Sequence, residues 1–276
     1  MLVSGFPRSA GPPTAAPPYP FQPERIPPEA VRAGPYTVRW ARDEADLDAV
    51  LALRFQIFNL EMGEGLTESF ATGRDRDPFD AWCHHLMVSD AETGQLVGTY
   101  RAHTRAMADA GLGWYSNTLF DLTTLPDDLL AIAAETGRAC IAAHHRTGRV
   151  LFLLWKGLAN YLTHNRCEHM FGCTSLTSQD PEEGLAVLDW LEANGYAHDA
   201  WHVEPQPGHA CVVDTEHSIS TMPEVNLPQL MRIYLHNGCK ILGPPAIDRA
   251  FKTIDFMTIL TIREMEERVR RKLFGG

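Results

Sequence analysis

The chain has 276 residues, 45% of them hydrophobic, and a formal net charge of -11. That length supports one large domain or two small ones with a full apolar core. The acidic balance argues against general nucleic-acid binding but allows a local basic patch, and no apolar run reaches the roughly 18 residues that a membrane helix needs.

Residues 1–35 hold ten of the 19 prolines. Proline lacks a backbone donor and fixes φ, so this stretch is expected to be an extended, poorly ordered arm that buries little. The folded domain is expected over 36–262, followed by a charged helical tail over 263–276. Its first strand is Tyr36 to Trp40. Asp43 then caps a helix whose apolar residues, Leu47, Val50, Leu51, Phe55 and Phe58, recur at helical spacing. Glu61 to Asp80 follows neither period and reads as a long loop. His85 to Ser89 and Leu96 to Arg101 form a hairpin across the turn Glu92-Thr93-Gly94.

A strand carrying Glu135 is expected within Leu129 to Ile141, then an apolar helix over Val150 to Leu162 and a buried strand over Met170 to Leu176. Pro181 opens a further helix that Asn194-Gly195 ends. Residues 198–225 fit no period. A helix at Leu227 to His236, a strand at Lys240 to Leu242 and a strand at Phe256 to Ile262 complete the domain. The order predicts an α/β (α+β) chain: a mixed, mostly antiparallel sheet with helices on both faces and a C-terminal helix–strand extension.

The six cysteines are scattered without a CxxC pair, which points to reduced thiols and a cytoplasmic location. His84-His85 and His144-His145 lack further ligands at metal spacing, so no metal is expected. The stretch Glu135 to Leu151 carries the chemistry. A strand with one acid leads into a basic turn, Arg146-Thr147-Gly148-Arg149, and then a helix start. An acid on a strand can take a proton, and free N–H groups at a helix N-terminus can hold a phosphate. Acyl transfer from a phosphopantetheine thioester needs both. The bland alternative for the turn is an ordinary helix start.

With Leu53-Arg54-Phe55-Gln56, Glu61, Asp77-Pro78-Phe79-Asp80, His85-Leu86-Met87-Val88, Gly98-Thr99-Tyr100-Arg101 and Glu135-Thr136-Gly137-Arg138 in this order, the chain resembles the GNAT acyltransferases. The branch it resembles contains acyl-homoserine-lactone synthases and ornithine-lipid N-acyltransferases. Gly148 to Leu158, Phe171-Gly172-Cys173, Leu227 to Leu235 and Gly243-Pro244-Pro245 extend the likeness to the ornithine-lipid side, over about 36–262. The resemblance implies a GNAT fold and an N-acyltransferase that moves a (3-hydroxy)acyl chain to the α-amine of an amino acid, ornithine first. It implies Glu135 as the base beside the thioester, the plain alternative being a structural ion pair with Arg138. It also implies an ion-pair cluster of Arg54, Asp77, Asp80, Arg101 and Arg138 that fixes the loop and contributes to acceptor binding.

Arg146, Gly148 and Arg149 are expected to hold the donor's phosphate. A turn with one glycine suits the single phosphodiester of acyl carrier protein better than the pyrophosphate of CoA. The expected partners are therefore acyl carrier protein and the amino acid, with no separate cofactor. Arg146, Arg149 and Lys156 offer basic docking surface for an acidic carrier, and a second cluster at Arg268 to Lys272 reads either as a dock for the carrier or for anionic lipid at the inner membrane face, or as a plain solvated helix face. The alternatives are a synthase of another N-acyl amino acid or lactone signal, and a non-catalytic lipid- or partner-binding protein on the same scaffold.

Overall fold

A computed structural model describes residues 15–213 and 225–275. A short edge strand, β1 (Val31–Ala33), turns through Gly34 at φ 63° into β2 (Tyr36–Trp40). Tyr36, Val38 and Trp40 alternate onto the buried face of β2, as the period of two requires. Asp43 accepts a hydrogen bond from the Asp46 N–H at 2.9 Å and caps α1 (Glu44–Arg54), which buries Leu47, Val50 and Leu51. The helix does not simply run on through Phe58, as the apolar spacing suggests. It widens over Phe55–Met62 into π-type turns and stops at Gly63, φ 72°. Such turns recur near functional sites, and here they place Ile57, Phe58 and Met62 on a cavity wall.

After a loop of short turns come β3 (His84–Asp90) and β4 (Leu96–Thr104), then two short helices, α2 (Arg105–Ala110) and α3 (Asp127–Ala131), and β5 (Ala133–Ile141). Helix α4 (Gly148–His164) crosses over to β6 (His169–Leu176). The remaining elements are α5 (Pro181–Ala193), α6 (Gln229–His236), β7 (Lys240–Ile241), β8 (Ala246–Asp248), β9 (Thr253–Thr261) and α7 (Glu267–Phe274). Among the described residues nine strands form one sheet in the order β1-β2-β3-β4-β5-β6-β9-β7, with β8 also on β9. The β5–β6 pairing is parallel and the other ladders are antiparallel. A parallel pair needs a long crossover, which α4 supplies. Leu86, Val88 and Tyr100 pack with α4 on one face, while Met87 packs with Val50 of α1 on the other. The expected mixed sheet with helices on both faces is the observed architecture.

One pairing decides where the site lies. β5 and β6 are in register only at Ala133↔His169, Ala134↔Met170 and Glu135↔Phe171, although β5 runs on to Ile141. Beyond that point β5 stays with β4, β6 stays with β9, and a cleft opens between them. The strands are closest at the fork. A Cβ on Gly172 would lie 2.0 Å from the Thr136 carbonyl oxygen, so only glycine fits there.

The expected arm over 1–35 differs in its described part; residues 1–14 lie outside the described residues. Residues 15–35 lie against the domain rather than away from it. Ile26 is buried, and the Phe21 ring meets Trp82 edge-on at 5.0 Å. Backbone carbonyls of this segment accept hydrogen bonds from domain side chains: Asn165 Nδ2 to Arg25 O at 2.9 Å, Arg42 Nη2 to Pro27 O at 2.6 Å and His84 Nε2 to Phe21 O at 2.6 Å. A proline-rich strand has no internal ladder, so its carbonyls are free to be used this way. Deleting residues 1–34 would strip the partner from Nε2 of the buried His84, leaving Nδ1 on the Tyr161 hydroxyl, and would expose Trp82. We expect a fall in Tm of about 10 °C, equivalent to several kcal/mol for a domain of this size. Differential scanning calorimetry of the truncated chain checks this, and an unchanged Tm would show that the packing contributes nothing. Of the segment 198–225, residues 214–224 lie outside the described residues; the rest runs irregularly through isolated bridges such as Phe120↔Pro205 and Ala210↔Ala246.

Candidate active site

The cleft between β5 and β6 widens into a cavity of about 440 Å³. Its walls come from β5, β6, the widened end of α1, the start of α4, and α6. One lobe is apolar, with Ile57, Phe58, Leu151, Leu154 and Leu230. Leu154 is at once part of the packed core and of this lining, whereas its neighbour Trp155 and Phe171 of β6 belong to packed core clusters alone.

Glu135 sits at the fork, where the cavity begins. Its side chain does not pair with Arg138. Oε2 accepts from the Tyr115 N–H at 2.7 Å, and Oε1 accepts from the Ser116 N–H at 2.6 Å and the Ser116 hydroxyl at 2.5 Å. Burial pushes its pKa above the ordinary carboxylate range, and the three Ser116 and Tyr115 hydrogen bonds pull it part of the way back. Across the β4–β5 pair, His103 Nε2 lies 3.3 Å from Oε2. Burial lowers the His103 pKa to about 3, so the ring is a neutral neighbour rather than a counter-ion. A carboxylate with a raised pKa and access to a cavity is a better proton acceptor than a free one.

The charged cluster is real in space and larger than its sequence landmarks. Arg54, with no exposed side-chain surface, donates Nε to Asp75 at 2.7 Å and Nη1 to Asp80 at 2.6 Å. Arg101 Nη1 bridges Asp77 at 2.5 Å and Asp80 at 2.9 Å. Arg138 pairs with Asp75. Three arginines thus balance three aspartates, and the loop over 75–80 is tied to α1, β4 and β5. Asp75 is the member that the sequence motifs missed.

Arg138 differs from the other two arginines. The β4–β5 register passes from Thr99↔Cys140 to Arg101↔Gly137, so Arg138 and Ala139 together face Tyr100 in a bulge, and Arg138 takes φ 51°. Bulges re-aim side chains near sites. The Arg138 guanidinium lies between the Phe58 ring at 4.4 Å and the Phe251 ring at 4.2 Å, on the cavity wall, and its Nε has no hydrogen-bond partner. Arg101 lines the cavity as well, whereas Arg54, Asp77 and Asp80 lie outside the lining, in the interior.

The expected phosphate group separates. Gly148 and Arg146 line the cavity, and no side chain caps the α4 N-terminus at Thr147, so its leading N–H groups remain for a ligand. Arg146 is already engaged by Glu61 and by the Ile141 carbonyl. Arg149 does not reach the cavity. It packs over Gly34 and donates to Ala33 O at 3.3 Å, on the outer surface. The helical spacing explains this, because the residue after Gly148 points about 100° away around α4. On that outer side α7 packs along α4, with Lys156 donating to Lys272 O at 3.4 Å. No helix among the described residues is long and apolar enough to cross a membrane.

Residues 53–156 match the acetyltransferase (GNAT) domain family. Over 250 residues the chain is 34% identical to an L-ornithine N(alpha)-acyltransferase of Brucella abortus (strain 2308), covering 86% of this chain and 88% of that one. It is 31% identical to an L-ornithine N(alpha)-acyltransferase of Agrobacterium fabrum (strain C58 / ATCC 33970), covering 86% and 84%. Among solved structures, the AHL synthase LasI aligns with a TM-score of 0.49 at 14% identity, over 87% of this chain and 95% of that one.

Proposed function

The chain belongs to the L-ornithine N(alpha)-acyltransferase family and is an acyltransferase; on that premise we propose that it moves an acyl chain from acyl carrier protein to the α-amine of an amino acid, with ornithine as the acceptor. The observation that carries this reading is Glu135, a buried carboxylate at the fork of β5 and β6, lining a cavity that an uncapped helix N-terminus also lines. The donor's phosphodiester meets the α4 N–H groups near Gly148, and its pantetheine arm lies along the β5 edge that β6 has left. Extended amide chains pair with such an edge as an added strand would. The acyl chain fills the apolar lobe beside Phe58 and Leu154. The acceptor's carboxylate takes the open edge of the Arg138 guanidinium, which already stands fixed by Asp75 and two phenyl rings.

An α-ammonium cannot attack; it must first lose a proton. Glu135 accepts that proton, the amine adds to the thioester carbonyl, and the tetrahedral intermediate collapses to the amide as the remaining surplus proton on nitrogen passes to the departing pantetheine sulfur, which leaves as the thiol. Acyl carrier protein as donor is supported by the size of the phosphate site. One glycine and one helix end suit one phosphodiester, and Arg146 is partly occupied by Glu61. The carrier's acidic surface has Arg149, Lys156 and α7 as a complementary patch.

Steady-state titrations with acyl carrier protein and with acyl-CoA, ornithine being the acceptor, test the donor. We expect kcat/KM to favour the carrier by at least tenfold. Arg149→Glu should raise the apparent KM for the carrier, more so at low salt where charge steering is unscreened. Turnover with acyl-CoA equal to or above that with the carrier would overturn the donor assignment and leave the acyltransferase intact.

A further inference from the structure

The cavity has a second polar lobe that the acyl transfer itself does not use. Asp255, on β9, stands opposite Ser175 of β6 in the register and on the wall of the cavity. It is 3% exposed, and its Oδ1 has no hydrogen-bond partner. Glu64, just past the widened turns of α1, lines the same lobe and accepts from the Thr177 hydroxyl. Among the described residues neither carboxylate forms an ion pair. Arg138, whose charge acts on Glu64, is taken by Asp75. Asp248, the third acid nearby, already accepts from the Ala250 and Phe251 N–H groups and does not line the cavity. Burial, with the charges of Asp248 and Glu64 beside it, raises the Asp255 pKa to about 7. Two buried carboxylates without a cation are costly unless a ligand supplies one.

We infer that Asp255 and Glu64 form the subsite for the cationic side chain of the acceptor, and that they select a diamino acid over a neutral one. This rests on the acceptor reading above. The placement fits the length of such a molecule. Glu135 is registered with Phe171 and Asp255 with Ser175 on the same face of the sheet, but on strands to either side of β6, so their backbones stand roughly 13 Å apart along the strands and about 10 Å across them, or about 16 Å in all. An extended ornithine separates its two nitrogens by about 6 Å, and a hydrogen bond of about 3 Å at each end brings the span to about 12 Å, which leaves about 4 Å for the Glu135 and Asp255 side chains to cover between them. Arg138 sits on the same cavity wall to receive the α-carboxylate. A cationic tail in this lobe would meet Asp255 Oδ1, Glu64 and the Thr177 and Ser175 side chains.

The test compares ornithine with 2-aminopentanoate, the same skeleton without the δ-amine, in wild type, Asp255→Asn and Glu64→Gln. Wild type is expected to favour ornithine in kcat/KM by at least about 100-fold, the scale on which a buried polar site rejects an analogue that leaves it unpaired. Each variant should lower that ratio at least tenfold, chiefly through the KM for ornithine. Calorimetric binding of ornithine to the three proteins gives a readout independent of turnover and should weaken in the same order. Equal losses with both acceptors in both variants would assign the two acids to folding or proton transfer and overturn the inference. Equal use of both acceptors by wild type would also overturn it, with the acyltransferase reading intact. Acylation of neither would remove the acceptor reading and this inference together. Tightening of ornithine binding only when a divalent cation is added would replace the ammonium by a metal ion and overturn it as well.

Discussion

Arg54→Met is expected to cost about 3–5 kcal/mol of stability, the scale for breaking a buried ion pair from one side. The side chains of Arg54, Asp75 and Asp80 have no exposed surface. Methionine matches the stem but leaves Asp75 shared with Arg138 alone and Asp80 with Arg101 alone. The cost is therefore two poorly compensated carboxylates in the interior rather than a lost contact. The pH dependence separates this cause from simple repacking. The arginines hold Asp75 and Asp80 below the ordinary carboxylate range, although burial opposes them. A depressed folded-state pKa contributes stability that is present above the unfolded value and lost as pH falls towards the folded one. In the variant the same burial acts without Arg54 and favours the protonated acids. The gap between wild type and variant should thus be widest near pH 7 and shrink below about pH 5. Urea unfolding at a series of pH values measures it; a cost under about 1 kcal/mol at pH 7 would show that the cluster behaves as a surface network.

The parts of this architecture that were legible in the sequence are those with a local signal. β2, the β3–β4 hairpin, α4 and β6 announce themselves through periods of two or 3.6 and through turn residues at their ends. Arg54, Asp77, Asp80 and Arg101 stand out as charges beside apolar runs. Asp75 did not, because it lies in an Arg74-Asp75-Arg76-Asp77 run that reads equally well as solvated loop. Arg149 and Arg146 look equivalent in one dimension, yet one step around α4 sends the first to the outer surface. The orientation of Arg138 depends on a bulge, and a bulge is a property of two strands in register rather than of either alone.

The packed segment over 15–35 was missed for a related reason. Proline content excludes an α-helix there, and only a 3-10 turn forms at Pro23–Arg25, but free carbonyls are invisible until their donors, His84, Asn165 and Arg42, are in place. Asp255 was hidden inside a strand that reads as core. Only the divergence of β5 from β6 turns that core position into a cavity wall. Tyr115 and Ser116, which hold Glu135, lie in a segment with neither period. Non-local partners of a single charge have no signature in sequence spacing.

Glu135→Gln should lower kcat/KM by roughly 100-fold or more, the range for removing a general base. The substitution keeps the size of the side chain but offers one acceptor oxygen to three donors, the Tyr115 N–H, the Ser116 N–H and the Ser116 hydroxyl. One of them is left unsatisfied, so a stability loss of about 1–3 kcal/mol is expected beside the kinetic effect, with the fold retained. In wild type kcat/KM should rise with pH along an acid limb set by the base. That limb should lie above the ordinary glutamate value of about 4.3, because burial raises the Glu135 pKa. In the variant the limb should disappear. The acceptor comparison then separates two acids that share one cavity. Loss of the proton acceptor should lower turnover of ornithine and of 2-aminopentanoate by the same factor, whereas loss of Asp255 should change their ratio. Near-wild-type turnover of Glu135→Gln at neutral pH would remove Glu135 as the base. Lining the same cavity with a pKa raised to about 7, Asp255 would then be the carboxylate to examine for that role.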